Sequence, residues 1–182
     1  MQAMLLRFSL SERRSPTAFS RNRKKGAVIV IGSDHGGVEL KDFLVQTLRL
    51  RGAEIEDVGT QGNDSVDYPD YGRKVAMRVA TGDVEQGILI CTSGIGMAIL
   101  ANKFPGVRAA LVHDLSGAKM SREHNNANIL VLGGAVTEKL VAQRIVDVWL
   151  ETPFAGGRHQ RRLDKIAQLE LELGTRIENK TK

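Results

Sequence analysis

The chain has 182 residues, 42% hydrophobic and 26% charged, which fits one well-filled soluble domain. Its formal net charge is +5, but residues 1–25 hold seven basic side chains against one acid, Glu12, so the rest of the chain sums to −1. A near-neutral body with only 4% aromatic residues is not a nucleic-acid-binding domain, and no apolar run approaches the ~20 residues of a membrane span.

Residues 1–25 lack hydrophobic periodicity and are rich in Arg and Ser. They read as a basic leader: a transit peptide for a plastid or mitochondrion, or else a solvated extension, a tag-like addition or a misassigned start on a cytoplasmic protein. The stretch Ala3–Leu6 is too short for a secretory signal. From Gly26 apolar runs alternate with amphipathic ones. Ala27–Ile31 is a continuous β-branched run, the mark of a strand buried on both faces. Val38–Arg51 places Leu40, Phe43, Leu44 and Leu48 at helical spacing, with Gly52 as a stop. Ala53–Val58 follows as a strand and Tyr71–Thr81 as a helix. Gly87–Cys91 is a third strand, Ile95–Lys103 a helix, Val107–Val112 a fourth strand and Leu115–His124 a helix. Asn128–Leu132 is a fifth strand, then come helices over Val136–Leu150 and about Arg158–Leu173. The spacing therefore predicts a Rossmann-like, doubly wound α/β/α sandwich on a five-stranded parallel sheet, one domain over residues 26–174 with a polar tail at 175–182.

In such sheets ligands bind at the carboxyl ends of the strands, so the joints there carry the candidates. After strand three, Cys91-Thr92-Ser93-Gly94-Ile95-Gly96 can aim backbone N–H groups at one point beside a helix start, a site for a phosphate or a developing oxyanion. The same positive end favours a thiolate, so Cys91, the only cysteine, is a candidate base for proton abstraction beside a carbonyl. Its alternative is a small buried hydrophobe ending a strand. A lone cysteine also excludes an intrachain disulfide, as suits a reducing compartment. Asp34-His35 lies in a Gly-flanked turn after strand one, suited to sugar hydroxyls or phosphate, or simply to capping the next helix. His124-Asn125-Asn126 ends a helix, where an imidazolium is favoured; a helix stop is the plainer reading. Arg158 and Arg162, four apart, share a helix face and could clamp a phosphate, whereas Arg161 points elsewhere. No G-x-G-x-x-G fingerprint, Walker loop or metal-ligand spacing among His35, His113, His124 and His159 is present, so neither a cofactor nor a metal is expected.

Together these stretches resemble the type B ribose-5-phosphate isomerase family, which includes galactose- and allose-6-phosphate isomerases. The similarity runs from about Ala27 to Leu169 and rests on GSDHGG with ELK (Gly32–Gly37, Glu39–Lys41), DYPDY (Asp67–Tyr71), GILICTSGIGMAILANK (Gly87–Lys103), SREHNNAN (Ser121–Asn128) and GGRHQRRLDKI (Gly156–Ile166). The resemblance implies a cofactor-free aldose–ketose isomerase of the pentose phosphate pathway. Cys91 would be the base, working through a cis-enediolate. Thr92, Ser93, Gly94, Ile95 and Gly96 would stabilise the enediolate, and His124 would open the sugar ring. Asp34, His35, Tyr68 and Asn125 would bind substrate, and Arg158 and Arg162 the phosphate. It further implies a homodimer or tetramer with shared sites. Ala135 stands where the family often has a phosphate-binding arginine, with Lys139 or Arg161 as possible substitutes. Rival readings are isomerisation of a six-carbon sugar phosphate and a sugar-phosphate-binding module without catalysis.

Overall fold

The computed structural model describes residues 27–180, with side chains described as far as Gly174; the basic leader lies outside the described residues. Five strands, β1 (Ile29–Ser33), β2 (Ile55–Asp57), β3 (Gln86–Cys91), β4 (Ala109–Leu111) and β5 (Ile129–Gly133), form one parallel sheet in the order β2-β1-β3-β5-β4. Six helices accompany it: α1 (Val38–Leu50), α2 (Tyr68–Ala80), α3 (Ile95–Ala101), α4 (Leu115–Glu123), α5 (Lys139–Glu151) and α6 (Arg158–Lys180). This is the doubly wound α/β/α sandwich that the alternation predicts.

The layering follows from side-chain alternation on the central strands. Ile29, Ile31, Ile88, Ile90, Leu130 and Leu132 pack with Leu44, Leu48, Ala118, Ile145 and Trp149 of α1, α4 and α5. Val30, Leu89, Cys91 and Val131 pack on the other face with Val75, Val79, Met97 and Ala101 of α2 and α3. Both faces of β1, β3 and β5 are thus dry, which is why their sequences are near-continuous aliphatic runs. Connections diverge to either side at β1 and β3, so the crevice between their carboxyl ends is the switch point.

Several boundaries differ from the sequence expectations for identifiable reasons. β1 starts at Ile29 and continues through Ser33, because its register with β3 pairs Ile29 with Gln86 and Ser33 with Ile90. α2 starts at Tyr68 instead of Tyr71, with Pro69 in its first turn, where a missing N–H costs nothing. This places Tyr68 on a helix and not in the loop. α3 stops at Ala101, short of Lys103: the Asn102 side chain donates to the carbonyls of Ala98 and Ala109 and accepts the Ala109 N–H, each at 2.9 Å. α5 starts at Lys139, since the amides of Val136 and Thr137 turn back to the Gly133 carbonyl at 3.3 and 3.0 Å. β4 is reduced to an edge strand of three residues, and α6 continues past Leu173 to Lys180.

One polar contact fixes the sheet edge beneath the switch point. Lys41 of α1 is fully buried, and its Nζ donates to Asp57 Oδ2 at 2.5 Å and Asp42 Oδ1 at 2.6 Å. Asp57 Oδ1 in turn accepts the Gly59 N–H at 2.9 Å. Gly59 has to be glycine, because a Cβ there would lie 2.6 Å from the Ser33 amide nitrogen and 2.8 Å from Lys41 Cδ. Replacing Lys41 with Met would leave Asp57 mostly buried and uncompensated. We expect Lys41→Met to lower unfolding free energy in urea by about 3 kcal/mol; a loss below about 1 kcal/mol, the worth of a surface pair, would contradict this role.

Candidate active site

Three strand-end loops meet around Cys91 because glycine lets their backbones touch. A Cβ on Gly36, after β1, would stand 2.1 Å from Thr92 Oγ1, and one on Gly37 would stand 2.7 Å from the Ile90 carbonyl oxygen. A Cβ on Gly134, after β5, would lie 2.6 Å from the Gly36 oxygen. The β5 loop is laced to the β3 loop by Gly134 N–H to the Cys91 carbonyl (2.8 Å) and Ala135 N–H to the Thr92 carbonyl (3.0 Å). Gly94 adopts φ +79°, with Leu111 and the Leu132 carbonyl against the place a side chain would need.

That left-handed turn aims the Gly94 N–H at Cys91 Sγ, 3.1 Å away, while the Ile95 N–H reaches Ser93 Oγ at 3.3 Å. Cys91 is a free, buried thiol. The first amides of α3, including those of Gly96 and Met97, have no carbonyl within the helix to bond. The Tyr68 ring lies against Gly96, where an added Cβ would be 2.8 Å from the ring. His35 Nδ1 accepts the Val66 N–H at 3.2 Å, which puts its proton on Nε2. Asp34 is buried with Oδ1 unpartnered; burial pushes its carboxyl above the ordinary value, against the opposing pull of His35 and the Gly36 and Gly37 amides.

The other candidates lie elsewhere. All strands are parallel, so Cys91 marks the carboxyl edge of the sheet. His124 caps the end of α4 just before β5 begins, at the opposite edge. The length of β3 separates the two edges by about 16 Å. His124 is half-buried and Asn125 exposed, and the start of α6 joins them there: the Ala155 N–H bonds the Glu123 carbonyl at 3.0 Å. Arg158 and Arg162 are exposed one turn apart on α6, as their spacing predicts. Sequence reasoning gave no role to His159, which is buried and stacked on His124, with ring centroids 4.3 Å apart. Its only sequence signal is its place in the first turn of a helix entered through two glycines at positive φ, Gly156 and Gly157. A cavity of about 650 Å³ also opens at this edge, among Gln86, Arg108, Arg122, Asn126 and Asn128. Arg108 there is held by the carbonyls of Gly106, Asn125 and Asn126. At the carboxyl edge, Lys139 is engaged by Glu39 at 2.5 Å, next to exposed Ala135. Among the described residues no group of three or more His, Cys, Asp or Glu side chains could hold a metal.

Fold and geometry together define a doubly wound α/β protein whose glycine-lined strand-end loops close around one buried thiol. The chain belongs to the ribose/galactose isomerase family, whose profile, described as Ribose/Galactose Isomerase, matches residues 29–166. It is 44% identical over 142 residues to ribose-5-phosphate isomerase B of Escherichia coli K12, covering 78% of this chain and 95% of that protein. Among solved structures it is similar to ribose-5-phosphate isomerase B of Clostridium thermocellum (51% identity, TM-score 0.79, 80% of this chain and 99% of that one). It is also similar to the Mycoplasma genitalium enzyme with bound ribulose-5-phosphate (40% identity, TM-score 0.78, 82% and 99%). The type B resemblance read from the motifs is thereby borne out. Among the described residues no helix is long and apolar enough to cross a membrane.

The raised carboxyl of Asp34 gives a test of the cradle. The folded chain favours the protonated form, so ionised Asp34 costs stability at neutral pH, and this cost disappears as pH falls through the raised value toward the ordinary 3.8. Asp34→Asn is expected to raise the urea midpoint at pH 7 and to lose that advantage toward pH 4. A lowered midpoint at pH 7 would contradict the assignment.

Proposed function

We propose that this chain interconverts ribose 5-phosphate and ribulose 5-phosphate, using Cys91 as the base and neither metal nor organic cofactor. The observation that carries the reading is the Gly94 N–H directed at Cys91 Sγ within the glycine cradle, because an amide donor stabilises negative charge on the sulfur it faces. The thiolate takes the hydrogen from C2 of the open-chain aldose, and the charge passes to O1 of a cis-enediolate. Amides at the start of α3 and the Ser93 hydroxyl stabilise that oxygen, each such donor being worth about 10²–10³ in rate. The proton on O2 moves to O1, and the thiol returns its hydrogen to C1, giving the ketose. Asp34, His35 and Tyr68 surround the sugar at this edge.

Ring opening by His124, the Asn125 contact and phosphate binding by Arg158 and Arg162 belong to the far edge, so a complete site takes one edge from each of two copies. Supporting this, α6 exposes Ile166, Leu169, Leu171 and Leu173, and the carboxyl edge exposes Ile95, Ile99, Val136 and Leu140. Apolar faces of this kind suit burial against a second copy in a homodimer or tetramer. The bound ribulose-5-phosphate of the Mycoplasma genitalium relative supports a pentose phosphate. Ala135 gives the turn after β5 no cation of its own, a departure from the family pattern that leaves a six-carbon sugar phosphate as the second reading, while Cys91, Arg158 and Arg162 favour the pentose.

The purified protein is expected to turn over ribose 5-phosphate at a rate unchanged by EDTA. Cys91→Ala should lower kcat by about 10²–10⁴, the worth of a positioned base, with KM nearly unchanged. Activity within about tenfold of the parent would place the base elsewhere.

A further inference from the structure

His159 has no part in the chemistry described above, yet it is a buried ionisable side chain at the amino edge of the sheet. Its ring is buried and lies flat on His124, with the planes 4° apart. Its backbone is fixed by the bond from its N–H to the Gly156 carbonyl at 3.0 Å, and the adjoining Ala155 amide ties this turn to the end of α4. Arg158 Nε, which can only donate, stands 3.4 Å from His159 Nε2. In the neutral ring the proton therefore sits on Nδ1, which is buried without an acceptor.

The surroundings of this ring hold its pKa below the ordinary imidazole value. Burial disfavours the charged form most, the charges of His124, Arg158 and Arg162 add to it, and only Glu123 opposes. Of the two stacked imidazoles, His159 is buried and His124 half-buried. His124 is also the cap of its helix, followed by an exposed residue and then by Asn126 at φ 44°, and its ring contact among the described residues is the stack on His159. A flat ring packed against it, 4.3 Å away between centroids, holds the plane of the His124 ring.

We propose that His159 is a positioning residue for His124, a buried flat platform whose stacked ring orients the ring-opening acid. The inference rests on the role given to His124 under Proposed function. It predicts a selective defect, because ring opening is needed by ribose 5-phosphate but not by ribulose 5-phosphate, whose C5 oxygen is esterified and cannot close a furanose. Removing the plate should slow the isomerisation of the cyclic aldose and spare proton abstraction from the open-chain ketose.

The experiment uses the full-length protein with two variants, His159→Leu and His159→Phe. Turnover of ribose 5-phosphate is compared with washout of the C1 hydrogen of ribulose 5-phosphate into deuterated water. His159→Leu is expected to lower kcat/KM for ribose 5-phosphate by about tenfold or more, within the range of acid catalysis, while washout changes by less than about threefold. His159→Phe, which restores a flat neutral ring, should recover most of the loss. Equal slowing of turnover and washout, unchanged turnover in His159→Leu, or no recovery in His159→Phe would each overturn the inference alone. Absence of both ribose 5-phosphate turnover and washout in the parent protein would overturn the proposed reaction, and the inference with it.

Discussion

In a right-handed β–α–β unit the helix returns antiparallel to its strands, so a helix that leaves the carboxyl edge of the sheet must end at the amino edge. Every candidate residue in this chain is sorted by that constraint. Asp34, His35, Tyr68 and the Cys91–Gly96 loop follow strands or begin helices, and they gather at one edge. His124 and Asn125 end α4, and Arg158 and Arg162 begin the helix that follows α5, so they gather at the other. No side-chain movement bridges a gap equal to the length of β3. Under the proposed roles, one chain carries two half-sites facing opposite ways, and the proposal takes two copies to bring the thiol, the acid and the phosphate clamp around one sugar.

At the carboxyl edge, close backbone approach is what gathers the loops around Cys91. Gly36, Gly37 and Gly134 let the loops after β1, β3 and β5 touch at distances that any side chain would forbid. The left-handed turn at Gly94 then directs an amide at the sulfur instead of at solvent. Lys41 and Asp57 lie below this arrangement and fix the loop after β2 through Gly59. That loop reaches on to Val66, whose amide sets the tautomer of His35. A buried ion pair is thus joined to the His35 imidazole by a continuous run of backbone.

Much of this was legible in the sequence because the signals are local. The aliphatic runs of β1, β3 and β5 marked dry strands, and the glycines of Gly32–Gly37 and Cys91–Gly96 marked the joints where backbones turn sharply. The boundaries slipped where side chains or tertiary register decide them, as at Asn102, which ends α3 by bonding to β4, and at Ser33, which is kept in β1 by pairing with β3. Sheet order was not legible, because nothing in the spacing of β4 and β5 reports that the chain skips a position and returns. The same holds for His159: its importance lies in a ring 35 residues away in the chain, and its neighbours in sequence point only to a basic helix start. The split into two edges was available in principle from helix direction alone, once the strands were taken as parallel.

The division of the site between two copies is tested most directly by mixing Cys91→Ala with His124→Ala, each inactive alone, under conditions that exchange subunits. A hybrid dimer would hold one site with both halves intact, so activity is expected to return to about a quarter of the parent value at equal mixing. Activity that stays at the level of the separate variants, with exchange shown independently by mass, would mean that each chain completes its own site and would contradict the account.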